Sequence, residues 1–183
     1  MTNAKVINRE IIFDHPNAQI IIDTIQSEKT NREYFYLRSP VDAVATVEVN
    51  ERGEIALTRQ YRHPIGRVIF DLPAGTLNPN EKPLAGALRE FEEETGYLPG
   101  NIVPLGYYSQ FPGVIRAATH LFFASELVPT QQKLDEGENL EVRFTPIDQI
   151  LKLIVDDQLI DGSLQLGVLL AMQKGFLTTY LSD

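Results

Sequence analysis

The sequence predicts an α/β fold in which a few helices cover a mixed β-sheet. Three features support this prediction. Strand-like apolar runs fill the first half of the chain, one long helical pattern follows them, and two further helical patterns close the chain. With 183 residues, 43% of them hydrophobic, the chain is long enough to form one domain of ordinary size with its own core.

The strands predicted in the first half are short runs separated by polar turns. The segment 50–53 is polar and ends in glycine, which indicates a hairpin turn, and Pro73 ends the last run. We predict a β-rich portion over residues 1–40, which is too short to form its own core, and a main domain over residues 41–183. The five predicted strands are Gln19–Asp23, Glu33–Leu37, Ala43–Val49, Ile55–Tyr61 and Val68–Leu72.

A helix is predicted from about Pro83 to Thr95. Proline suits the first turn of a helix, and Gly96 suits the left-handed position just after the last turn. After this helix, the sequence patterns predict three strands and then two helices that close the chain. The predicted strands are Ile102–Tyr108, His120–Ala124 and Leu140–Phe144, and the predicted helices are Ile147–Val155 and Leu164–Lys174.

The composition excludes several classes of function. The chain has no cysteine, which excludes thiol catalysis and thiolate metal sites. Its net charge of −9 argues against sequence-independent binding of nucleic acids, which requires a basic surface. No apolar run approaches the roughly 20 residues that span a bilayer, and the first residues lack the apolar core of a secretory signal. We therefore expect a cytoplasmic protein with neither nucleic acid nor membrane as a partner.

Three glutamates near the end of the predicted helix indicate a metal site. Glu90, Glu93 and Glu94 are spaced i, i+3 and i+4, so they share one face. Their charges repel one another, and the helix dipole disfavours carboxylates at this end. A bound cation offsets both effects, and oxygen ligands of this kind suit Mg²⁺, with Mn²⁺ as a substitute. Taken alone, however, such a cluster is more often a solvated helix face.

The full spacing around this helix resembles the Nudix box, Gly-x5-Glu-x7-Arg-Glu-U-x-Glu-Glu-x-Gly-U, where U is a bulky apolar residue. The resemblance implies an α/β fold of the Nudix α/β/α sandwich type with a mixed sheet, plus a small N-terminal antiparallel β portion. It also implies hydrolysis of a nucleoside diphosphate linked to another group. All nine defined positions are filled, by Gly75, Glu81, Arg89, Glu90, Phe91, Glu93, Glu94, Gly96 and Tyr97.

The same resemblance implies roles for individual residues of the box. Arg89 is expected to orient the glutamates, and Glu81 is expected to support the site from the loop. Bound cations would neutralise the pyrophosphate and activate a water molecule. The residues that match the family's metal ligands are Ala74, through its carbonyl oxygen, and Glu90, Glu93 and Glu94.

The residues that flank the box resemble those of ADP-ribose pyrophosphatases and related nucleotide-sugar hydrolases. Arg62 is expected to contact a substrate phosphate, although an ion pair with an acidic neighbour is an equal alternative. Pro112 stands fifteen residues after the box, where these enzymes have a proline. The chain departs from them at Phe111, which replaces a serine, and in lacking a glutamate that follows. Arg116 adds a positive charge in that segment, and it is a third candidate for substrate binding.

Glu136 matches a loop glutamate that resembles the general base of this subfamily. A base on such a loop can approach the attacking water when substrate is present. Glu138 is its nearest rival, and an acidic solvated loop without a catalytic role is the plain alternative.

These observations lead to one main hypothesis and two alternatives. The main hypothesis is a Mg²⁺-dependent pyrophosphatase that converts ADP-ribose, or a related nucleoside diphosphate sugar, to a nucleoside monophosphate and a sugar phosphate. One alternative keeps the chemistry but changes the substrate to NADH or a dinucleoside polyphosphate. The other is a ligand sensor without turnover, which is disfavoured because every box glutamate is present. We expect a homodimer that uses the β-rich portion as its interface.

Overall fold

The computed structural model describes residues 5–28, 30–134, 136, 139–156, 158 and 161–180. Within these residues lie three α-helices, α1 (Pro83–Thr95), α2 (Ile147–Val155) and α3 (Gly162–Gln173), and two short 3-10 helices, His63–Ile65 and Thr178–Tyr180. The strands are β1 (Lys5–His15), β2 (Ala18–Gln26), β3 (Asn31–Arg38), β4 (Ala43–Glu48), β5 (Glu54–Arg62), β6 (Arg67–Asp71), β7 (Ala74–Thr76), β8 (Tyr97–Tyr108), β9 (Ile115–Arg116), β10 (Thr119–Pro129) and β11 (Leu140–Pro146).

The chain divides into two units, of which the first is a β-sheet. This unit comprises Met1–Asp42 and Tyr108–Ala118, and its strand order is β1-β2-β3-β9. The first three strands pair antiparallel, while β9 runs parallel to β3. On one face, Arg9 donates two hydrogen bonds of 2.7 Å to Asp23, and this guanidinium lowers the pKa of the Asp23 carboxyl. The antiparallel N-terminal portion predicted from the sequence is therefore present.

Sequence patterns predicted no strand at β1. This strand is exposed along its whole length, and its register against β2 shifts between Val6 and Asn8 and again between Ile11 and Phe13. Each shift interrupts the strict alternation of side chains that makes a strand visible in a sequence. The short strands β7 and β9 were also missed, because two or three residues carry no periodic signal.

The second unit contains a mixed sheet covered by helices. It comprises Ala43–Tyr107 and Thr119–Asp183, with one sheet in the order β7-β4-β10-β8 and another in the order β11-β5-β6. Strand β4 pairs parallel with β10 and antiparallel with β7. Helices α1 and α3 both pack against β4. The predicted α/β class with a mixed sheet is therefore confirmed.

Helix α1 has the bounds that its sequence predicts. Pro83 opens the helix, and Gly96 closes it with φ of 73° and a backbone N–H that donates to the carbonyl oxygen of Glu92. Its buried face differs from the apolar pattern of its sequence, in which Leu84, Leu88, Phe91 and Thr95 recur at helical spacing. Leu84 is 45% exposed, and Glu94 is buried beside Phe91. A carboxylate thus lies on the face that packs against the sheet, which brings it close to the strand connection before the box.

No helix among the described residues is long and apolar enough to cross a membrane. The cytoplasmic location stays a prediction.

Glu48, at the end of β4, is a buried carboxyl without a local counter-charge. Its side chain is fully buried, and neither oxygen has a hydrogen-bond partner among the residues that the structure describes. Burial penalises the ionised form and raises the pKa of Glu48 from 4.5 to about 9. The carboxyl is therefore protonated in the folded protein at neutral pH, whereas it ionises on unfolding.

Replacing Glu48 by Gln should make stability less dependent on pH. Because the pKa is raised in the folded state, the contribution of Glu48 to stability is present below the unfolded pKa and is lost as pH rises from about 4.5 to about 9. The difference in melting temperature, Glu48→Gln minus wild type, should grow by about 3 °C or more between pH 5 and pH 8.5, roughly 1 kcal/mol in a chain of this size. Thermal unfolding by circular dichroism measures it, and Glu51→Gln in the exposed neighbouring turn is the control. A difference that stays constant with pH would contradict the burial effect.

Candidate active site

Arg89 lies at the centre of a cluster of carboxylates on the loop and helix of the box. Its Nε and Nη2 donate to the two carboxylate oxygens of Glu81 at 3.0 and 2.8 Å. Its Nη1 donates to Glu90 at 2.8 Å and to Glu93 at 3.0 Å, and Nη2 also reaches the carbonyl oxygen of Thr76 at 3.1 Å. One guanidinium thus fixes three carboxylates and the backbone of the loop, and bidentate contacts of this type impose direction as well as attraction.

The charges of this cluster do not cancel. Hydrogen bonds from Arg89 are the main reason that the pKa of Glu81 falls to about 2, and Glu81 in turn is the largest cause of the raised pKa of Arg89. By formal charge, the four carboxyl groups of Glu81, Glu90, Glu93 and Glu94 outnumber the one guanidinium of Arg89, which leaves −3 for this group. A concentration of negative charge on partly buried side chains favours a bound cation.

The strand connection before the helix approaches the cluster closely. The backbone N–H of Ala74 donates to Glu94 at 2.8 Å, and Glu94 is only 3% exposed. A Cβ atom built on Gly75 would lie 2.1 Å from the Cδ atom of Glu90. Only glycine therefore leaves room for the Glu90 carboxylate in this position.

A segment after β10 binds the C-terminal end of α1. Thr130 donates its N–H to the carbonyl oxygen of Gly96 at 2.7 Å, and Lys133 donates its N–H to that of Glu93 at 2.9 Å. The side chain of Gln132 donates to the carbonyl oxygen of Glu94 at 2.6 Å. Helix ends carry carbonyl groups without partners in the helix, and this segment satisfies three carbonyl groups at the end of α1. Sequence reasoning missed Gln132, since nothing local links it to a helix 38 residues earlier.

Arg62 forms an ion pair with a carboxylate that sequence reasoning also missed. Its Nε donates to Asp71 at 3.1 Å, and its Nη2 donates to the same oxygen. Asp71 is 2% exposed, whereas the Arg62 side chain is 43% exposed. The alternative interpretation of Arg62, an ion pair with an acidic neighbour, therefore describes this conformation. The available signal was a charged residue within the otherwise apolar run Val68–Leu72.

Pro112 and Arg116 lie in the first unit and line a cavity of about 880 Å³. Tyr34, Tyr36 and Arg38 line the same cavity, and Arg38 pairs in register with Arg116 across β3 and β9. Arg116 forms no ion pair within 4 Å with any residue that the structure describes. The cavity thus combines aromatic surface with positive charge, a composition that suits a nucleotide.

Glu136 is exposed and lies in a turn. It follows Lys133 by three residues, so it continues the segment that binds the end of α1. Glu138, its rival as general base, lies outside the described residues.

The residues of the box fit a divalent cation by their donor chemistry. Glu90, Glu93 and Glu94 supply carboxylate oxygens, and Ala74 adds a backbone carbonyl, which are the donors that Mg²⁺ and Mn²⁺ prefer. In this conformation Arg89 engages Glu90 and Glu93. Throughout the described ranges, no three side chains of Asp, Glu, His or Cys are arranged to hold one ion. Binding a cation thus requires the glutamates to turn partly away from Arg89.

Comparisons with known proteins agree on one family. A family model described as NUDIX domain matches residues 39–162. The chain is 31% identical over 160 residues to "ADP-ribose pyrophosphatase" of Bacillus subtilis (strain 168), covering 86% of each chain. It is 30% identical over 169 residues to "Methanol dehydrogenase activator" of Bacillus methanolicus, covering 90% of each. A crystal structure of an ADP compounds hydrolase matches with a TM-score of 0.87 and 18% identity, over 99% of this chain and 98% of that one, which shows a shared fold.

Gly75→Ala should weaken binding of a divalent cation without unfolding the protein. The new methyl group must displace the Glu90 carboxylate, which lies 2.1 Å from the ideal Cβ position. We expect the affinity for Mn²⁺, measured by calorimetry, to fall at least about tenfold. Gly162→Ala is the matched control, because a Cβ there meets nothing within 4 Å and the residue opens α3. Equal Mn²⁺ affinity in the two variants would show that Glu90 does not bind the ion.

Proposed function

We propose that this chain, which belongs to the NUDIX family, hydrolyses the pyrophosphate of ADP-ribose or a related nucleoside diphosphate sugar in the presence of Mg²⁺. The products are a nucleoside monophosphate and a sugar phosphate. Membership of the family, which the Nudix box predicted, is confirmed, and the chain is a Nudix hydrolase with the Nudix fold. The substrate and the identity of the metal are the proposed part.

The observation that carries the proposal is the carboxylate cluster around Arg89. Its contacts to Glu81, Glu90 and Glu93 hold the box side chains in a defined arrangement with excess negative charge. A diphosphate is itself anionic, so this cluster can accept one only through a cation. Nudix hydrolases generally use a divalent metal ion. When bound, the ion neutralises the pyrophosphate and lowers the pKa of the attacking water.

Residues of the chain would hold the metal ion and keep its ligands oriented. Glu90, Glu93 and Glu94, with the carbonyl of Ala74, would hold the metal, and Arg89 would keep the glutamates oriented as they exchange partners. Hydrolysis at phosphorus depends mainly on positioning and on stabilising spread-out negative charge, so preorganised carboxylates and arginines contribute most.

ADP-ribose is the proposed substrate for two reasons. A relative named as an ADP-ribose pyrophosphatase aligns with 86% of the chain. The segments that flank the box also resemble those of such enzymes. We propose that Arg62 binds a substrate phosphate, and that Pro112 and Arg116 contribute to recognition of the substrate through the aromatic, positively charged cavity of the first unit.

Glu136 is the proposed general base. Its segment is held to the end of α1 by the hydrogen bonds of Gln132 and Lys133. A base near the box can accept the proton of the attacking water as the bond to phosphorus forms.

A homodimer is proposed on the basis of the exposed apolar side chains of the first unit. The larger of them on β1 and β3 are Val6, Ile7, Ile11, Ile12, Phe13, Tyr34 and Phe35, each more than 40% exposed. Contiguous apolar surface on a sheet is typical of an interface.

A substrate panel tests the activity, and one pair of variants tests the site. With Mg²⁺, ADP-ribose should yield AMP and ribose phosphate by product chromatography, and turnover should vanish with excess chelator. Glu94→Gln should lower kcat by two orders of magnitude or more, about 3 kcal/mol of barrier. Glu92→Gln, at the undefined position between Phe91 and Glu93 of the box, is the control and should stay within about twofold of wild type. Turnover that survives exhaustive chelation would refute the metal mechanism.

The general base is tested by two substitutions in the loop. Glu136→Gln should cut kcat about a hundredfold while the affinity for Mn²⁺ holds, because the box ligands remain and the lost interaction belongs to the transition state. Glu138→Gln should retain most of the activity. If kcat falls in Glu138→Gln and not in Glu136→Gln, the assignment within the loop is wrong. If kcat falls in neither variant, the general base lies elsewhere.

The dimer is tested by light scattering. The wild-type protein should have the mass of two chains at micromolar concentration, and Phe13→Glu, on the exposed strand β1, should shift the mass towards one chain. Val155→Glu, at a position 81% exposed in the second unit, is the control that should remain dimeric. A monomeric wild type would overturn the proposal.

A further inference from the structure

Strands β5 and β6 carry a polar network whose centre is Asp71. Thr58, Gln60 and Arg62 alternate along β5, so their side chains emerge on one face, and Asp71 stands opposite Thr58 on β6. All three donate to the same carboxylate. The Thr58 hydroxyl is 2.6 Å from one oxygen, the Gln60 amide is 3.3 and 3.4 Å from the two oxygens, and Arg62 donates to the second oxygen.

The geometry of this network fixes the direction of the Arg62 guanidinium. Asp71 is 2% exposed and Thr58 is fully buried, whereas nearly half of the Arg62 side chain reaches solvent. A buried carboxylate costs free energy unless it is paired, and an ion pair of this kind is weak evidence for a role in stability. Asp71 engages Nε and Nη2 of Arg62, and the two hydrogens of Nη1 are not part of that contact. A guanidinium held along one edge presents its other edge in a fixed direction.

The backbone that follows Asp71 leads directly to the box. Ala74, three residues later, donates its N–H to Glu94, and the carbonyl oxygen of Pro73 between them accepts from the N–H of Thr46 at 3.0 Å. The residue that orients Arg62 and the proposed backbone ligand of the metal thus belong to one short, hydrogen-bonded connection between β6 and β7. A shift of Asp71 would move both.

We propose that Asp71 is a positioning residue of the pyrophosphatase reaction, which holds the guanidinium of Arg62 in the direction needed to bind the diphosphate of the substrate. This inference rests on the proposed function, because it requires Arg62 to contact a phosphate. The competing interpretation is structural: Asp71 satisfies Thr58 and Gln60 and has no influence on substrate through Arg62. The two interpretations differ in one respect: whether the effect of replacing Asp71 on kcat/KM depends on the presence of Arg62.

A double-mutant cycle separates the two interpretations. Asp71→Asn keeps the size of the side chain and an acceptor for Thr58 but removes the charge that holds Arg62. In the wild-type background it should lower kcat/KM at least about tenfold. In an Arg62→Ala background it should change kcat/KM by less than twofold, because there is no guanidinium left to position. Equal factors in both backgrounds would overturn the proposal, whatever the effect on melting temperature.

Thr58→Val is the matched control on the same carboxylate. It removes the 2.6 Å hydrogen bond to Asp71 and leaves the contact with Arg62 in place. It should lower the melting temperature, and its effect on kcat/KM should be small and the same with or without Arg62. If Thr58→Val couples to Arg62 as strongly as Asp71→Asn does, the network acts through packing and the assignment to Asp71 is wrong.

Two further measurements keep the proposal open to refutation. If Asp71→Asn does not fold, Arg62→Lys replaces it: lysine lacks the fork that Asp71 orients, so kcat/KM should fall nearly as far as in Arg62→Ala, and an active Arg62→Lys variant contradicts the proposal. If wild-type protein cleaves no substrate of the panel, the proposed function fails. In that case the affinity for ADP in the presence of Mg²⁺ is measured by calorimetry for the same single and double variants. If the effects of Asp71→Asn and Arg62→Ala on this affinity are additive, the role of Asp71 is rejected separately from the proposed function.

Discussion

The interaction on which the site depends is the contact of Arg89 with three carboxylates. On α1, Glu93 lies one turn after Arg89 and shares its face, and Glu90 is the next residue, so Nη1 reaches both carboxylates. The loop brings Glu81 to the other edge of the guanidinium. Without the guanidinium, the carboxylates at the end of α1 would repel one another against an unfavourable helix dipole. Arg89 makes the cluster compatible with a folded protein before a cation arrives. The cluster nevertheless keeps its excess of negative charge, which is what a divalent ion requires.

A second arginine is held by the same principle on a different element. Arg62 is oriented by the buried Asp71 on the neighbouring strand, as Arg89 is oriented by Glu81 on the loop. In both cases a carboxylate of low exposure fixes a guanidinium of higher exposure. Such an arrangement restricts rotation of a long side chain, which lowers the entropy lost when substrate binds. The two guanidinium groups of the site are therefore held in place by ion pairs, Arg62 by Asp71 between β-strands and Arg89 by Glu81 between α1 and the loop.

Local patterns predicted the box well and its surroundings poorly. Proline at the start and glycine at the end predicted the bounds of α1, because both act through their own backbone conformation. The resemblance to the Nudix box implied that Arg89 orients the glutamates, and in the structure Arg89 donates hydrogen bonds to Glu81, Glu90 and Glu93. By contrast, β9 exists only because Ile115 and Arg116 pair with β3, and the contact between Gln132 and Glu94 joins residues distant in sequence. Asp71 and Glu48 each stand as a charged residue in a largely apolar run, and only the structure shows that both are buried.

In the proposed site, the glutamates of the box exchange Arg89 for a divalent cation. A crystal structure of the protein soaked in Mn²⁺, with an anomalous difference map at the manganese edge, would locate the ion. We expect an anomalous peak about 2.1 Å from carboxylate oxygens of Glu90, Glu93 or Glu94 and from the carbonyl oxygen of Ala74, with Arg89 still bound to Glu81. A map with no peak at these residues, in which Glu90 and Glu93 remain on Arg89 at saturating Mn²⁺, would contradict it.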